Sequence, residues 1–111
     1  MSKKNTLQKG RVRFLIFYDK EAKSWFGVAL EFNIVEEGDN RIEVMASLFQ
    51  AIQGYVKAAQ KIKMRPSVLN QKSDKEYENL WNEMNNNKQV DSDKFSVTNF
   101  GYQNLRMPVG V

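Results

Sequence analysis

One segment, residues 40–62, constrains the fold more than any other, because its apolar side chains recur at the spacing of an α-helix. Asn40 is a good N-cap residue, and Glu43 follows three positions later, as in a capping box. A residue before proline leaves the α region, so we expect the helix to end before Pro66. The apolar stripe is Met45, Leu48, Phe49, Ile52, Tyr55, Val56, Ala59 and Ile62.

The side chains off this stripe are polar or small, which predicts one face toward water and one toward another layer of structure. The water-facing residues are Glu43, Ser47, Gln50, Lys57 and Lys61. Gly54 lies inside the helix at a propensity cost of about 1 kcal/mol. It either permits close packing or is simply tolerated.

Two segments before the helix are rich in β-branched and aromatic residues, as strands are. Residues 11–18 place Val12, Phe14 and Ile16 on one face, and residues 19–24 form a polar connection of hairpin length. Residues 25–32 form the return strand, and a third short strand at 33–37 closes at Gly38. In the return strand one face holds Phe26, Val28, Leu30 and Phe32, and the other holds Trp25, Gly27, Ala29 and Glu31. The small residues on the second face let another element lie close against the sheet.

Beyond Pro66 the sequence predicts one helix and one strand. Ser73 and Glu76 form a second capping-box pattern, which opens a helix over residues 74–84. Its apolar face is Tyr77, Leu80, Trp81 and Met84. Residues 95–100 read as a strand, with 101–102 as a continuation or bulge, and residues 107–111 as a tail.

These elements predict an α+β fold: a small antiparallel sheet with a helix packed on one face and a C-terminal helix–strand extension. At 111 residues one domain is expected. We divide it into a flexible basic arm (1–10), a sheet-and-helix unit (11–65) and an extension of the same domain (66–111).

Composition excludes several kinds of chemistry. The chain has no His and no Cys, which removes serine–histidine and cysteine–histidine catalysis, disulfides and thiolate metal sites. Glycine-rich phosphate loops are also absent. Two or more of Glu31, Glu36, Glu37 and Asp39 could converge on a divalent cation. Strand neighbours point to opposite faces, however, so Glu36 and Glu37 cannot share a site. We predict no catalytic residue, no metal and no cofactor.

The net charge of +4 is unevenly distributed. Residues 14–43 carry three bases and seven acids, whereas residues 44–72 carry five bases and no acid. The basic block suggests a contact for nucleic acid or an acidic partner, through Lys57, Lys61, Lys63 and Arg65. Solvation at a helix end is the alternative, and we expect weak nucleic-acid binding or none. No apolar run is long enough to cross a bilayer, so we expect no membrane contact and a cytoplasmic location.

Aromatic and small residues suggest a protein interface. Residues 25–30 carry no charge that would protect a sheet edge from pairing, and the second helix is too short to be stable alone. We therefore predict a homodimer or higher even-numbered oligomer, with a partner or oligomer interface at Trp25, Gly27, Ala29 and Trp81. The alternative is a monomer in which the second helix docks on the sheet of its own chain.

The stretch from Phe14 to Ala59 resembles the N-terminal domain of HicB-like antitoxins. The matching features are the hairpin with residues 25–30, the acidic strand ending in residues 37–40, and the capped helix 41–59. The resemblance implies a truncated RNase H-like fold: three antiparallel strands, a helix across them and often one more strand. It implies a non-enzymatic protein that binds and neutralises a small HicA-type RNase toxin by occlusion.

The chain departs from the family in two places. Residues 31–34 lack the proline- and glycine-containing turn that many members carry between the second and third strands. The extension after Pro66 is too short for a helix-turn-helix, so DNA-binding autoregulation is not expected. An orphan homo-oligomeric domain and a weak nucleic-acid-binding module are the alternatives, and an enzyme built on the acidic cluster is the weakest hypothesis.

Overall fold

The structure is a computed structural model that describes residues 4–5, 9–63, 65–86 and 89–106. Its elements are β1 (Lys9–Asp19), β2 (Ser24–Ala29), β3 (Ile34–Gly38), α1 (Arg41–Lys61), α2 (Lys75–Asn85) and β4 (Phe95–Arg106). Two 3-10 turns occupy Leu30–Phe32 and Pro66–Leu69. The strands form one antiparallel sheet in the order β3-β2-β1-β4, which confirms the predicted fold class. The predicted tail lies outside the described residues.

Helix α1 covers one face of the sheet. Leu48 and Ile52 are buried against the face of β1 that carries Val12, Phe14 and Ile16, as predicted. A Cβ on Gly27 would lie 3.0 Å from Val44 and 3.2 Å from Leu48, so the missing side chain lets α1 approach β2 closely.

The buried stripe of α1 begins and ends earlier than predicted. Val44 is buried, whereas Ile62 is 66% exposed. The helix ends at Lys61, which leaves Ile62 as the C-cap residue, beyond the last turn that packs on the sheet. The N-terminus follows the prediction, since the Asn40 side chain accepts hydrogen bonds from the N–H groups of Ile42 and Glu43.

Helix α2 packs on the opposite face of the sheet, so β1 is buried on both faces. Leu80 and Trp81 contact a second apolar cluster that includes Leu15, Phe17, Val28, Leu30, Val90 and Phe95. The N-cap is Asp74, whose carboxylate accepts from the N–H of Glu76, and not Ser73 as the capping-box pattern predicted. Ser73 instead donates its hydroxyl to the Glu78 carboxylate.

The turn after β2 changes the face that Phe32 occupies. The strand ends at Ala29, and the 3-10 turn over Leu30–Phe32 breaks the alternation that placed Phe32 with Phe26, Val28 and Leu30. Phe32 packs on the α1 side, with its ring centroid 4.9 Å from that of Tyr55. Asn33 then ends the turn with a φ of 53°, in the left-handed region.

Strand β4 is longer than predicted and contains a bulge. Its pairing with β1 shifts between Ile16 and Phe17, which leaves Thr98 as an extra residue. Because side chains alternate along a strand, the extra residue returns Phe100 and Tyr102 to the face already occupied by Val97. Both rings meet Trp81 edge to face, at centroid distances of 5.5 and 5.2 Å.

The chain before β1 is partly fixed. Strand β1 begins at Lys9, inside the predicted flexible arm, and the side chain of Asn5 is buried. The other residues of that arm, 1–3 and 6–8, lie outside the described residues.

Candidate interaction site

A cleft opens beside β1 where β2 stops. The β1–β2 pairing begins at Phe14 and Ala29, so the earlier part of β1 has no strand neighbour on that side. Two side chains bind its N–H groups instead: Glu31 accepts from Arg13 N at 2.8 Å, and Asn5 accepts from Arg11 N at 2.6 Å. The cleft encloses about 360 Å³ and is lined by Lys4, Asn5, Arg11, Arg13, Glu31, Asn70, Gln71, Trp81 and Tyr102.

Asn5 closes one end of this cleft. Its Nδ2 donates to the carbonyl of Leu69 at 2.8 Å, and its backbone N–H donates to Asn70 Oδ1 at 2.7 Å. Asn70 Nδ2 returns a bond to the Asn5 carbonyl at 2.9 Å. Gly10 lies directly beneath, where a Cβ would stand 2.1 Å from Asn5 Oδ1. Asn5 therefore fastens the chain before β1 to the turn that follows α1, and only glycine fits under it.

Arg13 forms the floor of the cleft between two carboxylates. Its Nε lies 2.6 Å from Glu31 Oε2, and Nη1 and Nη2 each lie 2.8 Å from an oxygen of Glu78. Its guanidinium stands 5.5 Å from the centroid of the Trp81 ring. Glu31, which the sequence grouped with the acids around β3, is thus the partner of Arg13.

This arrangement shifts the pKa values of Glu78 and Arg13. Hydrogen bonding from Arg13 holds the pKa of Glu78 below its usual value, with help from Ser73 and against the opposing effect of burial. Burial is the largest single influence on the pKa of Arg13 and lowers it. The hydrogen bonds to Glu78 and Glu31 and the attraction of their charges together outweigh burial, and the pKa of Arg13 is raised.

The mouth of the cleft is cationic and aromatic. The Arg11 guanidinium lies 4.0 Å from the centroid of the Tyr102 ring, and both side chains are exposed. Within the described ranges no carboxylate pairs with Arg11 or Lys4. The cleft is therefore charge-compensated at its floor and positive at its mouth.

The two edges of the sheet differ in chemistry. The acidic β3 edge, which we define as Glu36, Glu37, Asp39 and Glu43, combines the outer strand with the first turn of α1. Glu37, Asp39 and Glu43 are exposed, and none of the four forms an ion pair in the described part of the chain. The opposite edge, formed by β4, has no charged residue from Phe95 to Leu105.

The predicted interface residues lie inside the fold. Strand β2 is central, so the prediction that residues 25–30 form an exposed edge is wrong. Gly27 and Ala29 are covered by α1, Trp81 is 4% exposed, and Trp25 is half-buried with its ring 5.3 Å from that of Tyr18. A partner would have to displace a helix to reach three of these four residues. Self-association itself stays a prediction.

The sequence pattern did not identify β4 as the uncharged edge of the sheet. Residues 95–105 lack charge just as residues 25–30 do. Sequence alone does not show which of the two segments lies at the edge, because that depends on the pairing of β1 with β4.

The predicted basic contact residues lie together at the end of α1 and beyond it. Lys57 and Lys61 are on the last turns of the helix, Lys63 has a φ of 52°, and Arg65 precedes the second 3-10 turn. All four are exposed, and none has a carboxylate within ion-pair distance among residues 4–5, 9–63, 65–86 and 89–106. They are available to a polyanion or an acidic partner.

The described residues contain no group of three or more His, Cys, Asp or Glu placed to hold a metal ion. None of their helices combines the length and the apolar character that a membrane crossing requires.

Comparison with known proteins gives no relatives: no family model, no curated protein and no solved structure matches this chain.

Proposed function

We propose that this chain is a non-enzymatic, HicB-like antitoxin-type protein of the cytoplasm, which binds a small HicA-type RNase and neutralises it by occlusion. The acidic β3 edge carries the proposal. It lies on the hairpin-and-helix unit through which the sequence resembles the family, and it presents to solvent negative charge that no cation of the described residues pairs with.

Charge complementarity supports this surface as the contact. An RNase holds a polyanion, so the surface around its active centre is positively charged. Glu37, Asp39 and Glu43 are exposed without intramolecular ion pairs in the described chain, so a cationic partner can take up their charge without breaking existing contacts. An antitoxin bound here would compete with RNA for the same cations.

The architecture supports the same proposal. Three antiparallel strands, a helix across one face and one further strand are the elements that the resemblance implies. Strand β3 ends the sheet, so its outer side is accessible to a cationic loop of a partner, although its short length and its glutamates disfavour the addition of another strand.

The exposed cations Lys57, Lys61, Lys63 and Arg65 favour a second candidate function, weak and non-specific nucleic-acid binding. That interaction would fall steeply as salt rises, and it would not depend on the β3 edge. Fluorescence polarisation with a labelled oligonucleotide at two salt concentrations measures it directly.

The test of the antitoxin proposal is a search for a gene encoding a small RNase beside this gene, followed by a measurement of whether this chain inhibits RNA cleavage by that enzyme. We expect the full chain to abolish cleavage at equimolar concentration. Changing Glu37→Gln together with Asp39→Asn should weaken inhibition by about tenfold or more, since each 1.4 kcal/mol of lost binding is a factor of ten.

Glu21→Gln with Glu83→Gln removes the same charge from exposed sites elsewhere and should leave inhibition unchanged. The proposal fails if no neighbouring RNase is inhibited. It fails equally if both double variants inhibit as well as the unchanged chain.

A further inference from the structure

Strand β4 is an open edge along most of its length. The segment before it covers only the beginning: Val97 N donates to the Val90 carbonyl at 2.9 Å, and Ser92 N donates to the Phe95 carbonyl at 2.8 Å. From Thr98 to Arg106 no element of the described chain pairs with the outer side of β4. These nine residues extend over roughly 30 Å, at about 3.4 Å each.

The backbone groups at this edge point outward in a regular series. The N–H groups of Arg11 and Arg13 are bound on the β2 side of β1, so Val12 and Phe14 direct theirs to β4. Their register partners are Gln103 and Gly101. In an antiparallel ladder alternate residues face alternate neighbours, so Phe100, Tyr102 and Asn104 point their N–H and C=O groups away from the sheet.

Elsewhere the fold protects its free strand edges. On β1 the unpaired N–H groups are capped by Asn5 and Glu31. Strand β3 is only five residues long and carries two glutamates. Short length and charge are the usual means of preventing edge pairing, and β4 from Thr98 to Leu105 has neither.

We propose that the β4 edge is a self-association surface, on which a second copy of this chain adds its own β4 in antiparallel orientation. Pairing about Gly101 places Phe100 opposite the partner subunit's Tyr102, and the reverse contact follows from the two-fold symmetry. These rings are 39% and 44% exposed, the largest apolar groups at this edge. Each would cover the other.

Charge identifies the occupant as a second copy. Strand β4 has no charged residue between Phe95 and Leu105, so a strongly charged partner strand would find no countercharge on it, and the cation beside it, Arg11, is stacked on the Tyr102 ring. A second β4 brings an equally uncharged strand, so pairing places no like charges opposite each other. The resulting eight-stranded sheet has both α1 helices on one face and both α2 helices on the other.

The proposed dimer leaves the two acidic β3 edges at the far ends of the joined sheet. Self-association and partner binding therefore use separate surfaces. Loss of one does not entail loss of the other, and their tests are independent.

Light scattering coupled to gel filtration, on the full chain at about 50 µM, tests the proposal. We expect a mass of twice the 12.9 kDa of one chain. Phe100→Lys places a charge beside the two-fold axis and should return the mass to that of one chain. Asn104→Pro removes an outward N–H, which an edge strand tolerates, and should do the same.

Val35→Lys is the matched control, because Val35 is an exposed apolar residue (44%) on the opposite edge strand. It should leave the dimer intact. Circular dichroism tests whether each variant is folded. If Phe100→Lys does not fold, the mass of Asn104→Pro tests the proposal instead. A single-chain mass for the unchanged protein overturns the proposal, as does a dimer that survives the β4 changes or is broken only by Val35→Lys.

Discussion

Arg13 of β1 and Glu78 of α2 are joined by two parallel hydrogen bonds, each 2.8 Å long, although they are 65 positions apart in sequence. Such a bidentate pair fixes orientation as well as distance. An eleven-residue helix is marginal alone in water, so α2 depends on this pair and on the burial of Leu80 and Trp81.

The pair makes stability depend on pH. The pKa of Glu78 is lower in the folded chain than its ordinary value, because Arg13 binds the charged form. Its contribution is complete above the unfolded carboxyl pKa and is lost as pH falls through the lowered folded pKa. The melting temperature should fall between about pH 6 and about pH 3, and it should fall less in Glu78→Gln than in the unchanged chain. Glu83→Gln, on the exposed side of the same helix, should keep the full fall, and equal slopes in all three proteins would contradict this role.

Gly54 in α1 is a site for stabilisation. A Cβ built there meets no atom within 4 Å, so the glycine is tolerated and not required for packing. Gly54→Ala should raise the free energy of unfolding by about 0.5–1 kcal/mol, through reduced backbone entropy in the unfolded chain.

Gly27→Ala is the contrasting change, since its Cβ would lie 3.0–3.2 Å from Val44, Ile16 and Leu48. It should lower stability by about 1–3 kcal/mol as an overpacked position. Urea unfolding measures both variants. A destabilised Gly54→Ala would mean that this face of α1 is covered in solution.

The α1 layer should respond unequally to truncation. Leu48 and Ile52 are buried against the sheet, so either one changed to Ala should cost about 2–5 kcal/mol. Gln50→Ala and Lys57→Ala, on the exposed side, should stay within about 0.5 kcal/mol. Urea denaturation separates the two groups, and similar small losses at all four positions would place the helix on another face.

The Asn5 side chain should matter for stability although it precedes the first strand. Asn5→Ala removes the acceptor for Arg11 N and the donor to the Leu69 carbonyl. Leaving buried polar groups unpaired costs about 1–3 kcal/mol. Hydrogen exchange at the Arg11 amide should accelerate, while that at Phe17, inside the sheet, changes only with global stability. Unchanged protection at Arg11 would show that Asn5 does not hold this strand.

The elements that local chemistry determines could be predicted. The cap at Asn40 and the turn between β1 and β2 depend on residues a few positions apart, and the structure has both. Helical spacing predicted four of the buried residues of α1, but it missed the buried Val44 and included the exposed Ile62. The four are Leu48, Ile52, Val56 and Ala59. Where local signals compete, as at Ser73 and Asp74, the neighbouring residue became the cap because Ser73 is held by Glu78.

What could not be predicted depends on distant pairing. The uncharged residues of β2 suggested an edge open to pairing with another chain, yet β3 pairs with one side of the strand and β1 with the other. The cleft requires β2 to end at Ala29, and no residue at that position predicts the 3-10 turn that follows. Arg13 and Glu78 belong to segments whose sequences carry no sign of each other.

The pairing of β1 with β4 has a consequence for how the chain is made. Strand β1 emerges from the ribosome early, but its neighbour on one side is complete only when residue 106 has been synthesised. Until then the backbone N–H and C=O groups of β1 that face β4 have no partner, and both apolar faces of β1 are incompletely covered. Contacts between such distant segments slow folding and leave little stable structure in a partial chain. Synthesis that stops before β4 should therefore release an unfinished sheet with β1 as its exposed edge, a template for aggregation that the finished protein conceals.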